Sequence, residues 1–300
     1  MMTDEESEPM IELILNPVAG NGRAQRALEA VVRELSARKL EWHVSKTASS
    51  GHATALTREA IERGAGSIAV LGGDGLLSEV SVAVANTGVR LLFVPCGTGN
   101  DFIKSLQLPK DPAKALRLQL DAPERRIDCG ALNGVPFMNV AGAGFDTDVL
   151  VETERHKKTV LGITPYLIGL IKAISGFKPL EAEVTLDGVT EHRRYTVVSV
   201  ANGRYFGGGM KVAPMARVDD GAFDVMLIDA MPRWKLLVLA PMFLGGWHTR
   251  LAATRRVVAK DVVIKCRRPF MVNVDGELSE VACAHFQIRP GELTISCPTK

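Results

Sequence analysis

Gly72-Gly73-Asp74-Gly75 is the stretch of this chain with the most chemistry in it. An apolar run, Ile68 to Leu71, leads into it, and Leu77, Val80 and Val84 follow at helical spacing. A strand, a glycine turn and a helix start in that order bring main-chain amides to a helix N-terminus, where phosphate oxygens are attracted. The glycines let the backbone approach a ligand closely. Asp74 is the odd residue, because a carboxylate repels phosphate. It fits if a cation lies between the two charges or if Asp74 handles a proton; otherwise it simply caps the helix. Two more acidic turns lie downstream. Asp219-Asp220-Gly221 follows an oxygen-rich loop, Pro214 to Val218, and suits either an ordinary turn or a hard cation such as Mg²⁺ held by one carboxylate and main-chain carbonyls. Asp275-Gly276-Glu277 follows the apolar run Met271 to Val274. It reads either as a hairpin turn or as a turn that presents Glu277 as a general base.

The elements that must position these residues change character along the chain. Met10 to Leu15 is a short strand ending in Asn16-Pro17-Val18-Ala19-Gly20-Asn21-Gly22, and apolar positions 24, 27, 28, 31, 32 and 35 then mark a helix. Glu41 to Lys46 reads as a strand, and Ser49-Ser50-Gly51 opens the next helix. The strand before Gly72 is the third, and Val89 to Val94 is a fourth, ending in Pro95-Cys96-Gly97-Thr98-Gly99-Asn100-Asp101. Strand and helix alternate, so the first domain is α/β with a doubly wound parallel sheet. Such sheets bind ligands beyond their C-terminal strand ends. Loops 16–22, 72–75 and 97–101 all fall there, which favours a phosphate-bearing ligand over three simple connectors.

After about residue 125 the pattern changes. Asn133-Gly134 and Asp187-Gly188 are hairpin signals, residues 159–175 read as a helical excursion, and short β segments follow at 222–229, 261–266, 270–274, 281–288 and 292–297. The expected second domain, 126–300, is a mostly antiparallel β-sandwich or open barrel, interrupted by a helix at 232–252. The cleft between domains 1–125 and 126–300 is the default site at this level.

Composition removes several classes of protein. A net charge of +2 in 300 residues gives no case for nucleic acid. Five scattered cysteines without a CxxC pair suit reduced thiols in the cytoplasm. The acidic start MMTDEESEP lacks the apolar core of a signal peptide. Walker A, the Rossmann G-x-G-x-x-G, H-R-D, D-F-G, H-E-x-x-H and G-x-S-x-G are all missing.

Six segments in order, LNPVAGNG (15–22), KTASSGHATAL (46–56), VLGGDGLLSEV (70–80), PCGTGNDF (95–102), PMARVDDG (214–221) and VDGE (274–277), resemble the diacylglycerol kinase catalytic family, which includes soluble bacterial lipid kinases and the sphingosine kinases. The likeness runs from about residue 10 to the C-terminus. GGDG alone is weakly specific, since NAD kinases and phosphofructokinases use similar loops; the ordered set is specific to the family. The resemblance implies an N-terminal domain similar to those two enzymes, a β-sandwich partner domain, and ATP-dependent phosphorylation of a lipid hydroxyl. It implies that Asn16, Pro17, Gly20, Thr47, Gly72, Gly73, Asp74, Gly75, Leu76, Leu77, Gly97, Thr98 and Asn100 surround ATP. It implies Mg²⁺ on the Asp220 side chain, with the carbonyls of Arg217 and Ala222 as companions. Glu277 would accept the proton with Asp275 beside it, and Asp74 is the second candidate for that role. Many bacterial members have threonine where this chain has Leu76. That difference resembles the sphingosine-kinase loop and leaves the lipid open between diacylglycerol-like and sphingoid acceptors.

A lipid acceptor implies work at a bilayer, with the protein cytoplasmic or peripheral at the inner face of the membrane. Trp234, Leu236, Leu237, Leu239, Met242, Phe243, Leu244 and Trp247, flanked by Arg233, Lys235 and Arg250, suit either a membrane interface or a helix packed on the β domain. Arg255, Arg256, Lys260, Lys265, Arg267 and Arg268 either favour anionic headgroups or are exposed strand positions. The competing readings are a soluble-substrate kinase of the NAD kinase type and a lipid or nucleotide sensor without turnover.

Overall fold

A computed structural model of the chain describes residues 9–157 and 164–298. The chain divides into two units. One runs to Ile127 and takes the chain back from Gly291; the other is Asp128–Pro290. Residues 291–298, read from sequence as part of the β domain, therefore belong to the first unit.

In the first unit β1 (Ile11–Leu15), α1 (Ala19–Ala37), β2 (Trp42–Lys46), α2 (His52–Glu62), β3 (Ser67–Gly72), α3 (Asp74–Val84) and β4 (Arg90–Pro95) alternate as expected. Two helices follow, α4 (Asp101–Ser105) and α5 (Pro112–Leu120), and then β5 (Glu124–Leu132), which continues into the second unit from Asp128. The sheet order β2-β1-β3-β4 is parallel throughout. Every residue of β1 and β3 is buried, the mark of strands covered on both faces. One face holds Leu13, Leu15, Ala69, Leu71, Leu92 and Val94 against Ala24, Val31 and Leu35 of α1 and Leu116 of α5. A final strand residue pair, Thr294 and Ile295, runs parallel to Arg90 and Leu91 of β4. The carboxylate of buried Glu292 takes a 2.7 Å hydrogen bond from Asn86. These pairings draw the C-terminal stretch into the first unit.

The second unit is antiparallel. Its elements are β6 (Val135–Phe137), β7 (Val140–Gly144), α6 (Phe145–Lys157), α7 (Thr164–Gly176), β8 (Leu180–Leu186), β9 (Val189–Ala201), β10 (Tyr205–Phe206), β11 (Met210–Lys211), β12 (Phe223–Asp229), α8 (Arg233–Gly245), β13 (Thr254–Ala259), β14 (Asp261–Val274) and the part of β15 (Glu277–Ser296) before Gly291. The order is β13-β12-β9-β7-β14-β15, with β8 also pairing β9 and β14. Both hairpins read from sequence form, closing at Leu132–Val135 and Leu186–Val189. Alternate residues of β12 serve two cores. Val225 and Leu227 join Phe137, Phe223 and Phe286 on one side of the sheet. Met226 and Ile228 join Leu236, Leu239 and Phe243 of α8 and Phe177 on the other.

Four details differ from the sequence reading. The segments at 261–266 and 270–274 are one strand, β14, whose register shifts between Lys265 and Phe270. The segments at 281–288 and 292–297 likewise merge into β15. The helix placed at 232–252 breaks at Gly246, whose φ of 75° ends α8 in the left-handed region, and a 3-10 turn, Trp247–Arg250, follows. Helix α6 and strands β7 and β13 carry weak periodicity and went unread. Of the expected excursion at 159–175, residues 159–163 lie outside the described residues, and the rest is α7.

Candidate active site

In the first unit the three glycine loops meet through their backbones. Asn16 N donates to Leu71 O (3.2 Å), and Thr47 N donates to Leu15 O (2.9 Å). Cys96 N and Gly97 N both donate to Gly72 O, at 2.8 and 2.9 Å. A Cβ on Gly97 would overlap Gly73 Cα, and one on Gly20 would overlap the carbonyl oxygen of Cys96. Gly20 also has φ of 57°, in the left-handed region that glycine tolerates. Loops 16–22, 72–75 and 97–101 are thus locked at one sheet edge by contacts that no side chain fits.

Asn100 closes its own loop. Its carboxamide accepts from Gly97 N (3.1 Å) and donates to Gly97 O (2.8 Å), leaving Thr98 exposed at the tip. Asn16 makes a similar local turn, its Oδ1 accepting from Val18 N at 3.1 Å beside half-buried Pro17. Leu76 and Leu77 contribute only main chain, because both side chains are buried. The Leu77 amide is engaged with Gly73 O (3.1 Å). The amides of Asp74, Gly75 and Leu76 form the open first turn of α3. Arg23, exposed beside Gly20, is a cation at this edge that sequence reading missed.

Asp74 does not cap its own helix. Gly73 is the cap residue of α3, and Asp74 Oδ1 instead accepts the Phe102 amide of α4 at 3.2 Å. Burial and then the charge of Asp101 push the Asp74 carboxyl above the usual range, against the amides of Phe102 and Asp101. Asp101 is itself paired with Lys104 at 2.8 Å. Asp74 is thus a positioned carboxylate short of positive charge, a setting that fits a cation. Glu79 was also missed: its carboxylate accepts from Ala53 N (3.0 Å) and holds the start of α2.

In the second unit the carboxylates divide by role. The Asp275-Gly276 turn, with φ of 50° and 100°, joins β14 to β15 and pairs Val274 with Glu277. The Asp275 carboxylate accepts three amides, from Met138 (2.8 Å), Asn139 (2.9 Å) and Val140 (3.0 Å). It clamps the β6–β7 connection to the turn. Glu277, the first residue of β15, is exposed. The clamp fixes the main chain from which Glu277 projects.

The loop at 217–222 is held by Asp128, which was not singled out from sequence. Asp128 N donates to Val218 O (2.6 Å), and Asp128 Oδ2 accepts from Gly221 N (2.7 Å). Buried Asp224 pairs with Arg256. Burial, with Asp224 and Asp128 adding to it, raises the Asp220 carboxyl against the Ala222 amide. Among the described residues no group of three or more His, Cys, Asp or Glu side chains forms a metal cage. An ion here would rest on Asp220 and main-chain oxygens, and the surplus of negative charge around Asp220 fits that. At the start of α6, burial pushes Asp146 up to about 6, and its Oδ1 is buried without a hydrogen-bond partner. Only its packing reveals this carboxyl.

The model of the diacylglycerol kinase catalytic domain matches residues 10–132, and that of the YegS C-terminal NAD kinase beta sandwich-like domain matches residues 139–297. A Pseudomonas fluorescens protein named "Probable lipid kinase YegS-like" is 32% identical over 294 residues, covering 97% of this chain and 96% of that one. A Mycobacterium tuberculosis diacylglycerol kinase is 30% identical over 295 residues, covering 96% and 95%. A Bacillus anthracis crystal structure, diacylglycerol kinase-like by description, superposes with a TM-score of 0.80 at 26% identity and 98% coverage of both chains. The chain belongs to the family of YegS-like lipid kinases and bacterial diacylglycerol kinases.

Proposed function

We infer that this lipid kinase transfers the γ-phosphate of ATP to a lipid hydroxyl, with the glycine loops of the first unit holding the nucleotide. The observation that carries this reading is the backbone lock of loops 16–22, 72–75 and 97–101 at one edge of the parallel sheet, beside the open first turn of α3. Asn16, Pro17, Gly20, Thr47, Thr98 and Asn100 frame ATP, and the α3 amides meet its phosphates. In the second unit Glu277 takes the proton of the acceptor hydroxyl. The freed oxygen attacks the γ-phosphorus, the bond to the bridging oxygen breaks, and ADP leaves. Asp275 is the positioning residue for Glu277, and Asp74 is the alternative base. Mg²⁺ bound at Asp220, with the carbonyls of Arg217 and Ala222, would supply positive charge to the acidic loop. The acceptor is diacylglycerol-like or sphingoid, and the protein works from the cytoplasm at the inner face of the membrane.

The test is transfer of labelled γ-phosphate across a panel of diacylglycerol, sphingosine, phosphatidylglycerol and ceramide in mixed micelles, with NAD as the soluble control. A labelled lipid, lost in Glu277→Ala, is the expected result and names the acceptor. Labelled NAD would overturn the reading in favour of a soluble-substrate kinase. ATP binding with no transfer to any acceptor would favour a sensor.

A further inference from the structure

Helix α8 is apolar on both sides. Leu236, Leu239 and Phe243 face the core of the second unit. Trp234, Leu237, Val238 and Leu244, together with Trp247 of the 3-10 turn that follows, face outward, each 56–64% exposed, and Pro241 continues the stripe between them. An outward row of six apolar side chains with tryptophan at each end is not what water selects. Its charge is as one-sided as its hydropathy. Residues 230–260 contain Arg233, Lys235, Arg250, Arg255, Arg256 and Lys260 and not one carboxylate. Arg255 and Arg256 are engaged with Glu191 and Asp224, which leaves Arg233 and Lys235 at one end of the stripe and Arg250 at the other. A cavity of about 670 Å³ beside the start of α8 brings Lys178 and Arg194 next to Arg233, with Glu181 as its carboxylate.

We propose that the outer face of α8 is a membrane-docking surface, lying flat in the interface of an anionic bilayer. Tryptophan belongs at the headgroup level, and the leucines and valine between the two rings enter the acyl boundary. The cations at both ends meet lipid phosphates. A second copy of this chain is the poorer occupant, because pairing two such faces opposes cation to cation with no carboxylate within 230–260 to offset it. The choice of a lipid surface rests on the lipid-kinase reading above; the face itself is observed independently of it.

The experiment uses the full chain with vesicles of phosphatidylcholine alone or mixed with phosphatidylglycerol in equal amounts. The parent should sediment with the mixed vesicles, and its tryptophan emission should shift to the blue. Leu237→Glu combined with Leu244→Glu should weaken vesicle binding at least about tenfold. Trp234→Ala combined with Trp247→Ala is the milder second variant, and thermal melts check that both fold. Transfer to a short-chain acceptor dispersed as monomers should stay within about twofold of the parent. Unchanged vesicle binding in both variants overturns the docking face. So does a dimer that forms without lipid and is abolished by the glutamates, in a protein that ignores vesicles. Vesicle binding that depends on α8 in a protein that phosphorylates no lipid supports the docking face and overturns the kinase reading alone.

Discussion

The two units hold their candidate residues in place with different materials. In the first, backbone does the work: Gly73 and Gly97 touch, Gly20 sits against a carbonyl, and Leu76 and Leu77 turn their side chains into the core. In the second, carboxylates do it: Asp275 gathers three amides, Asp128 pins the 217–222 loop, and Glu277 is left exposed. A backbone site tolerates change at exposed side chains and fails when an atom is added between loops. A side-chain site is the reverse. It keeps its fold when the reacting group is neutralised and loses only chemistry.

The sharpest way to break that contrast is Glu277→Gln. Loss of a general base lowers turnover by about 10²–10⁴, and because Glu277 is exposed the melting temperature should not move. Steady-state transfer at saturating ATP measures the first and calorimetry the second. Full activity would remove Glu277 from the chemistry.

Gly97→Ala tests the backbone half. Its methyl overlaps Gly73 Cα, so the loops must part, at roughly 1–3 kcal/mol of stability. Titration calorimetry should show ATP affinity lower by about tenfold or more, whereas the KM for the lipid acceptor should be unchanged.

Asp146→Asn probes a carboxyl of the second unit through pH. The folded-state value of about 6 lies above the ordinary 3.8, so folding favours the protonated form. That contribution is full below the ordinary value and lost as pH rises through the folded one. The parent should therefore lose stability relative to the asparagine variant between about pH 4 and pH 7, by roughly 1–3 kcal/mol at the upper end. Denaturant melts across that range measure the difference; parallel curves would mean that Asp146 is not held protonated.

The smallest effect sharpens the contrast within one loop. Gly75 has open space where a Cβ would go and sits in the first turn of α3, so Gly75→Ala should hold or raise stability by up to about 1 kcal/mol. Any fall in ATP affinity then reports clearance for the ligand rather than for the fold.

Much of this is legible in the order of the residues alone. The alternation of strands and helices to residue 101, the two Asx-Gly hairpins and the ordered motifs placed the loops at the strand ends, because such signals are local and each is satisfied within a few residues. The roles of Asp128 and Glu79 were not legible, since each acts on an element distant in the chain. Asp128 holds Gly221, and Glu79 holds Ala53. The final strand shows the same limit: a parallel pairing of Thr294 with Arg90 leaves no periodic trace.

Sequence by itself determined the class of sheet, the glycine loops, the turn that carries Glu277 and the family, all properties of neighbouring residues and their order. Tertiary structure decided which partner each carboxylate keeps. Asp74 serves the helix after its own, Asp275 is a clamp, and α8 buries one apolar face while leaving the other bare. A side chain's charge and hydropathy are fixed by its type, but what it meets depends on segments that only folding brings within hydrogen-bond reach.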